Sequence, residues 1–150
     1  MNEDIIVIAD TQIDKDSPTE HLEAFNKYLR KHKPKHLVNI GDHWDLPSLS
    51  SYASLLEKED RRLVDDISSG MDAFNIINNF QRGYKPNCHF LMGNHENRLN
   101  RYIASHPELL GLVDIDVWVE KQGWSVTSMN TPVWINDVCF SHYMENPMSG

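Results

Sequence analysis

Leu37-Val38-Asn39-Ile40-Gly41-Asp42-His43-Trp44-Asp45 is an apolar run that stops at a glycine and is followed at once by two carboxylates and an imidazole. It reads as a buried strand ending in a tight turn, with Gly41 supplying backbone freedom and Asp42 projecting from the strand's C-terminal end. In α/β sheets ligands bind at that edge. Two further stretches repeat the design: Ile5-Ile6-Val7-Ile8-Ala9-Asp10 and Phe90-Leu91-Met92-Gly93-Asn94-His95-Glu96. Three apolar runs, each ending in oxygen or nitrogen donors, point to one metal site assembled from strand ends.

Outward from that stretch, residues 4–9 predict a strand buried on both faces. Ser17-Pro18-Thr19-Glu20 predicts a helix start, with Ser17 as cap, Pro18 in the first turn and Glu20 completing a capping box. Leu22, Phe25, Tyr28 and Leu29 give that helix its apolar stripe, and Pro34 ends it. Strand, helix and strand in this order make a right-handed βαβ unit with parallel strands. A second helix is expected from about residue 58 to 80, carrying Leu63, Ile67, Met71, Phe74 and Ile77 and tolerating Gly70 in its interior. A third strand follows over 88–92 and a helix over 96–103. Residues 109–120 fit a helix or a strand. Residues 124–129, 133–135 and 138–141 read as short strands, with Asn136-Asp137 as a hairpin turn. The fold class is therefore α/β. It begins βαβαβ with a mainly parallel sheet, then becomes a β-meander: an incomplete two-sheet sandwich flanked by helices, in one domain over 1–150.

Composition narrows the function. A hydrophobic fraction of 40% and a charged fraction of 24% are those of a soluble globular chain. The net charge of −8 argues against a general nucleic-acid binder, whose affinity rests on Lys and Arg meeting phosphates. It leaves a phosphate substrate open, because bound divalent cations reverse the local sign. Cys88 and Cys139 read as reduced thiols in or near the core. No basic leader and no run long enough to span a membrane are visible, so a cytoplasmic setting is expected.

Asp10, Asp42 and Asn94 each follow a predicted strand, and His142 closes a fourth, Val138-Cys139-Phe140-Ser141-His142. If the strands are neighbours, these side chains converge. Carboxylate, amide and imidazole together suit Mn²⁺, Fe²⁺ or Zn²⁺ better than Ca²⁺, which prefers oxygen alone. A single Asp after a strand is usually a turn former. Four such positions together outweigh that reading.

The pattern resembles a known family. Gly41-Asp42-His43-Trp44-Asp45 matches the G-D-x-x-D signature of the calcineurin-like metallophosphoesterases, and Gly93-Asn94-His95-Glu96, about fifty residues on, matches their G-N-H-[DE]. The wording is similar to that of small phage or bacterial members. The resemblance implies hydrolysis of phosphomonoesters or phosphodiesters by a hydroxide on two divalent ions, with Mn²⁺ favoured and Fe²⁺, Zn²⁺ or Mg²⁺ as alternatives. By position, Asp10 and Gln12 would serve the first metal, Asp42 would bridge, and Asn94 and His142 would bind the second. His95 would protonate the leaving oxygen or stabilise the transition state, Asp45 would orient His95, and Arg98 would hold a phosphate oxygen. The sequence departs from the family twice. Gln12 stands where the D-x-H motif has His, and no G-H-x-H motif follows His142, as if the C-terminal part were missing. Substrates expected are small phosphoesters or nucleotides, with nucleic acid, as in related exonucleases, a weaker alternative. A non-catalytic metal-binding or interaction module of the same fold is the reading from another class. His43 is left between substrate contact and structure, and Trp44 is expected to shape the pocket wall. Trp118, Trp124 and Trp134 are assigned to the core of the meander.

Overall fold

The computed structural model describes residues 4–144. Strands β1 (Ile5–Ile8), β2 (His36–Asn39), β3 (Asn87–Leu91) and β4 (Ser125–Thr127) form one parallel sheet in the order β1-β2-β3-β4. They are joined through helices α1 (Glu20–His32), α2 (Leu63–Asn78), α3 (Asn94–Ser105) and α4 (Ile115–Lys121). Strands β5 (Val133–Ile135) and β6 (Val138–Phe140) pair as an antiparallel hairpin.

Each crossover advances the sheet by one strand in the same direction, so right-handed connections stack their helices on one face. The alternation of strand side chains divides the core accordingly. Ile8, Leu37, Cys88 and Phe90 pack with Leu22, Leu29, Phe74, Ile77 and Val119 on the helical face. Their neighbours Val38 and Leu91 turn the other way, where Ile135 of the hairpin meets them with Val133 and Phe140.

Several expectations change. Residues 115–121 are helical, and β4 joins the parallel sheet as its fourth strand, so the antiparallel part is the β5–β6 hairpin. β1 is an edge strand rather than one buried on both faces. Its Val7 is 44% exposed, because the hairpin packs over β2 and β3. Thr19, not Ser17, is the N-cap of α1. Ser17 Oγ instead donates to Asp14 Oδ1 at 2.8 Å and accepts the Asp14 N–H at 3.0 Å, which commits it to the preceding loop. α2 begins only at Leu63. Leu55 and Leu56 are exposed, so no buried stripe supports an earlier helical start. The C-terminal carbonyls of α2 find donors in α1. Asn26 Nδ2 reaches Ile77 O and Asn79 O at 3.1 Å each, and Arg30 reaches Asn79 O at 3.0 Å.

The aromatic core is built around Trp44, fully buried between Phe74 and Phe90 and therefore not a pocket wall. Gly70, which interrupts the α2 pattern, makes that position possible. A Cβ there would lie 2.0 Å from Trp44 Nε1. Trp124 is buried in the same core and Trp118 packs against it, whereas Trp134 is 67% exposed on the outer face of the hairpin. Its inner-face neighbours Val133 and Ile135 leave it no other side to occupy. Both cysteines are free, and burial pushes the Cys88 thiol up to about 12, so it stays a thiol.

Candidate metal centre

The loops that leave β1, β2 and β3 meet at the C-terminal edge of the sheet, and the chain after β6 returns to the same place. Contact between the second and third loops depends on two glycines. Gly41 has φ +95°, and a Cβ on it would lie 2.6 Å from Gly93 N and Leu91 O. A Cβ on Gly93 would sit 2.1 Å from Asp42 Oδ1. The first loop is laced to the second by Gln12 N–H to Asp42 O at 2.9 Å, Ile13 N–H to His43 O at 2.7 Å and Asp45 N–H to Ile13 O at 3.0 Å. Asp10, Gln12 and Asp42 have φ of 37°, 45° and 50°, in the left-handed region where residues with a Cβ are uncommon. Such strain clusters at functional sites, where surrounding bonds hold it.

What holds it here is Glu96, the last residue of the Gly93-Asn94-His95-Glu96 signature. Its fully buried carboxylate accepts four backbone N–H groups. Oε1 takes those of His43 at 2.7 Å and Trp44 at 3.0 Å, and Oε2 takes those of Asp42 and Gly93 at 2.9 Å each. Burial pushes this carboxyl up from its ordinary value, and the N–H groups oppose that shift. The signal was present in the spacing: Glu96 lies three residues after the N-cap Gly93, the interval at which a Glu reaches back to the cap's N–H.

Asp42 is thereby aimed. Its Oδ1 accepts the His95 N–H at 2.9 Å at the start of α3, leaving Oδ2 to face His142 Nε2 at 3.5 Å. Donor atoms of Asp10, Asp42 and His142 all lie within 4.8 Å of one another, and Asn94 Oδ1 is 3.0 Å from His142 Nε2. His142 Nδ1 hydrogen-bonds to Ile40 O. A carbonyl only accepts, so Nδ1 carries the proton, which leaves Nε2, facing the carboxylates, as the nitrogen whose lone pair could ligate a metal. Two carboxylates and that nitrogen converge as a set of donor atoms that could hold a divalent metal ion.

The other predicted site residues flank this cluster. His95 Nε2 is 3.9 Å from Asp42 Oδ2, while its Nδ1 lies 2.7 Å from Asp45 O and 3.0 Å from Asp45 Oδ1. Arg98 Nη1 donates to Asp45 O and Leu46 O at 3.2 Å each, so it braces the loop that orients His95. Gln12 enters the site through its backbone N–H, and the residue is exposed. His43 is fully buried and belongs to the frame. Thr11 Oγ1 lies 2.7 Å from its Nδ1 and Gly70 O lies 2.9 Å from its Nε2. Burial lowers its pKa to about 4, which keeps the ring neutral.

No helix among the described residues is long and apolar enough to cross a membrane. A family model described as calcineurin-like phosphoesterase matches residues 4–145. Comparison with curated proteins and with solved structures returned no match. The match spans nearly the whole chain, and the chain belongs to that family.

Proposed function

We propose that this calcineurin-like phosphoesterase hydrolyses phosphomonoesters or phosphodiesters of small molecules or nucleotides at a dinuclear centre. Asp10, Asp42, Asn94 and His142 would hold the ions, with Asp42 shared between them, and Mn²⁺ is the favoured metal. When bound, the ions supply positive charge that polarises the phosphoryl oxygens and makes water a nucleophile at neutral pH. Asp45 accepts the His95 Nδ1–H and so favours the imidazolium form, whose second proton, on Nε2, faces the cluster and passes to the departing oxygen as the phosphorus–oxygen bond breaks. Arg98 keeps the Asp45 backbone in place and so acts through His95.

The observation that supports this reading most is the convergence of Asp10, Asp42 and the His142 Nε2 lone pair beside an oriented His95. The test is Mn²⁺-dependent hydrolysis of 4-nitrophenyl phosphate and bis(4-nitrophenyl) phosphate. The expectation is turnover that Asp42→Asn abolishes and that His95→Gln lowers by about 10²- to 10⁴-fold. Unchanged activity in both variants would overturn it. The exposed Gln12 favours a second reading, a metal-binding module without catalysis, which predicts bound Mn²⁺ and no turnover.

A further inference from the structure

His95, whose Nε2 lies 3.9 Å from Asp42 Oδ2, also lines a cavity of about 390 Å³ together with Asp45, Ser50, Glu57, Arg61 and Arg98. Its position follows from the loop after β2, which places Arg61 at one wall while α3 places Arg98 at another. Both guanidinium groups are anchored through one nitrogen. Arg61 Nη1 bonds to Asp14 Oδ2 at 2.9 Å and lies 3.6 Å from Asp16 Oδ2. Arg98 Nη1 is occupied by Asp45 O and Leu46 O. Among the described residues, Nε and Nη2 of each have no partner. A guanidinium carries five N–H donors in a fork that matches carboxylate and phosphate oxygens. Two carboxylates of opposite sign also line the cavity: Asp45, whose Oδ1 lies 3.0 Å from His95 Nδ1, and Glu57, whose Oε2 accepts from Ser54 N at 2.6 Å and Ser54 Oγ at 2.7 Å.

We infer that this cavity is a specificity subsite for a second anionic group, a carboxylate or a phosphate, carried on the leaving-group side of the substrate and read by Arg61 and Arg98. The placement rests on the proposed function, in which His95 marks the side from which the leaving group departs. Substrates would then be phosphoesters of anionic alcohols rather than of neutral ones. Glu57 opposes the anion and sets an upper limit on its affinity.

The experiment measures binding without turnover. Phenylphosphonate, 4-carboxyphenylphosphonate and benzene-1,4-diphosphonate resist hydrolysis and are titrated calorimetrically into the Mn²⁺-loaded protein. At least one of the two probes that carry a second anionic group is expected to bind about tenfold more tightly than phenylphosphonate, the tighter one identifying the preferred anion. Arg61→Met should remove that preference and Glu57→Gln should enlarge it. Equal affinity of all three probes for the unaltered protein would overturn the inference, whether or not the variants fold. So would a preference that survives Arg61→Met. Absence of turnover with a preserved preference would remove the reaction reading and leave the anion subsite standing.

Discussion

Replacing Glu96 by Gln tests the framework beneath the site. The substitution keeps size and shape but turns one acceptor oxygen into an NH₂ group. Each carboxylate oxygen serves two backbone N–H groups, so one such pair would face a donor. An orphaned buried donor costs about 1–3 kcal/mol, and two of them roughly twice that. Relief from burying a negative charge, the effect that raises this carboxyl's pKa, works in the opposite direction. The net expectation is a loss of about 2–4 kcal/mol, out of roughly 5–15 kcal/mol for a domain. For a chain of this size that lowers the melting temperature by roughly 5–15 °C. Thermal and urea unfolding followed by circular dichroism read the change, and Glu96→Ala, which orphans all the donors, should be worse. The same bonds position Asp42, so Mn²⁺ affinity should fall by about 10- to 100-fold, as for other groups that orient metal ligands. A Glu96→Gln protein that melts within about 2 °C of the unaltered one would refute the assignment of these bonds.

Three further outcomes follow from the same geometry. Gly70→Ala should destabilise by about 2 kcal/mol or more, because its Cβ would lie 2.0 Å from the buried Trp44 ring; helix propensity alone predicts a gain of about 1 kcal/mol, so the sign measured by urea unfolding decides. His43 has a folded pKa near 4 against an ordinary 6.5, so the stability it confers is complete above about pH 6.5 and is lost as pH falls towards 4. At about 1.4 kcal/mol per tenfold change in proton affinity, the loss reaches about 2 kcal/mol at pH 5 and about 3 kcal/mol below pH 4. Urea unfolding at pH 7.5 and 5 should show this component in the unaltered protein and not in His43→Gln; equal pH dependence in the two would contradict it. Trp134→Ser, at an exposed position, should change stability by no more than about 0.5 kcal/mol by the same assay, whereas a loss of 2 kcal/mol would show that the hairpin packs differently.

The strand ends were legible because apolar runs broken by glycine and followed by Asp or Asn leave few alternatives. Asp10, Asp42, Asn94 and His142 could be placed at one sheet edge from that pattern, and the structure sets their side chains together. What the pattern could not carry was the second partner in each contact. His43 lies inside a signature of exposed chemistry, yet its ring is turned inward by Thr11 and Gly70, which are distant in sequence. Trp134 looked like core by composition, but a two-stranded hairpin buries only one face, and parity put Val133 and Ile135 on it. β4 follows a helix too short to announce a crossover, so its membership of the parallel sheet was not visible locally. Arg61 had no spacing signal at all, since its place depends on the course of the loop that precedes α2.

Whether the strand ends form a cation site is decided by direct titration. Mn²⁺ is added to chelator-stripped protein in a calorimeter, for the unaltered chain and for Asp42→Asn, with thermal unfolding recorded in parallel. Saturable binding is expected, with a melting temperature that rises by roughly 5–10 °C at a hundredfold excess over Kd and affinity at least about 100-fold weaker in Asp42→Asn. No binding at millimolar Mn²⁺, or binding that Asp42→Asn leaves intact, would contradict it.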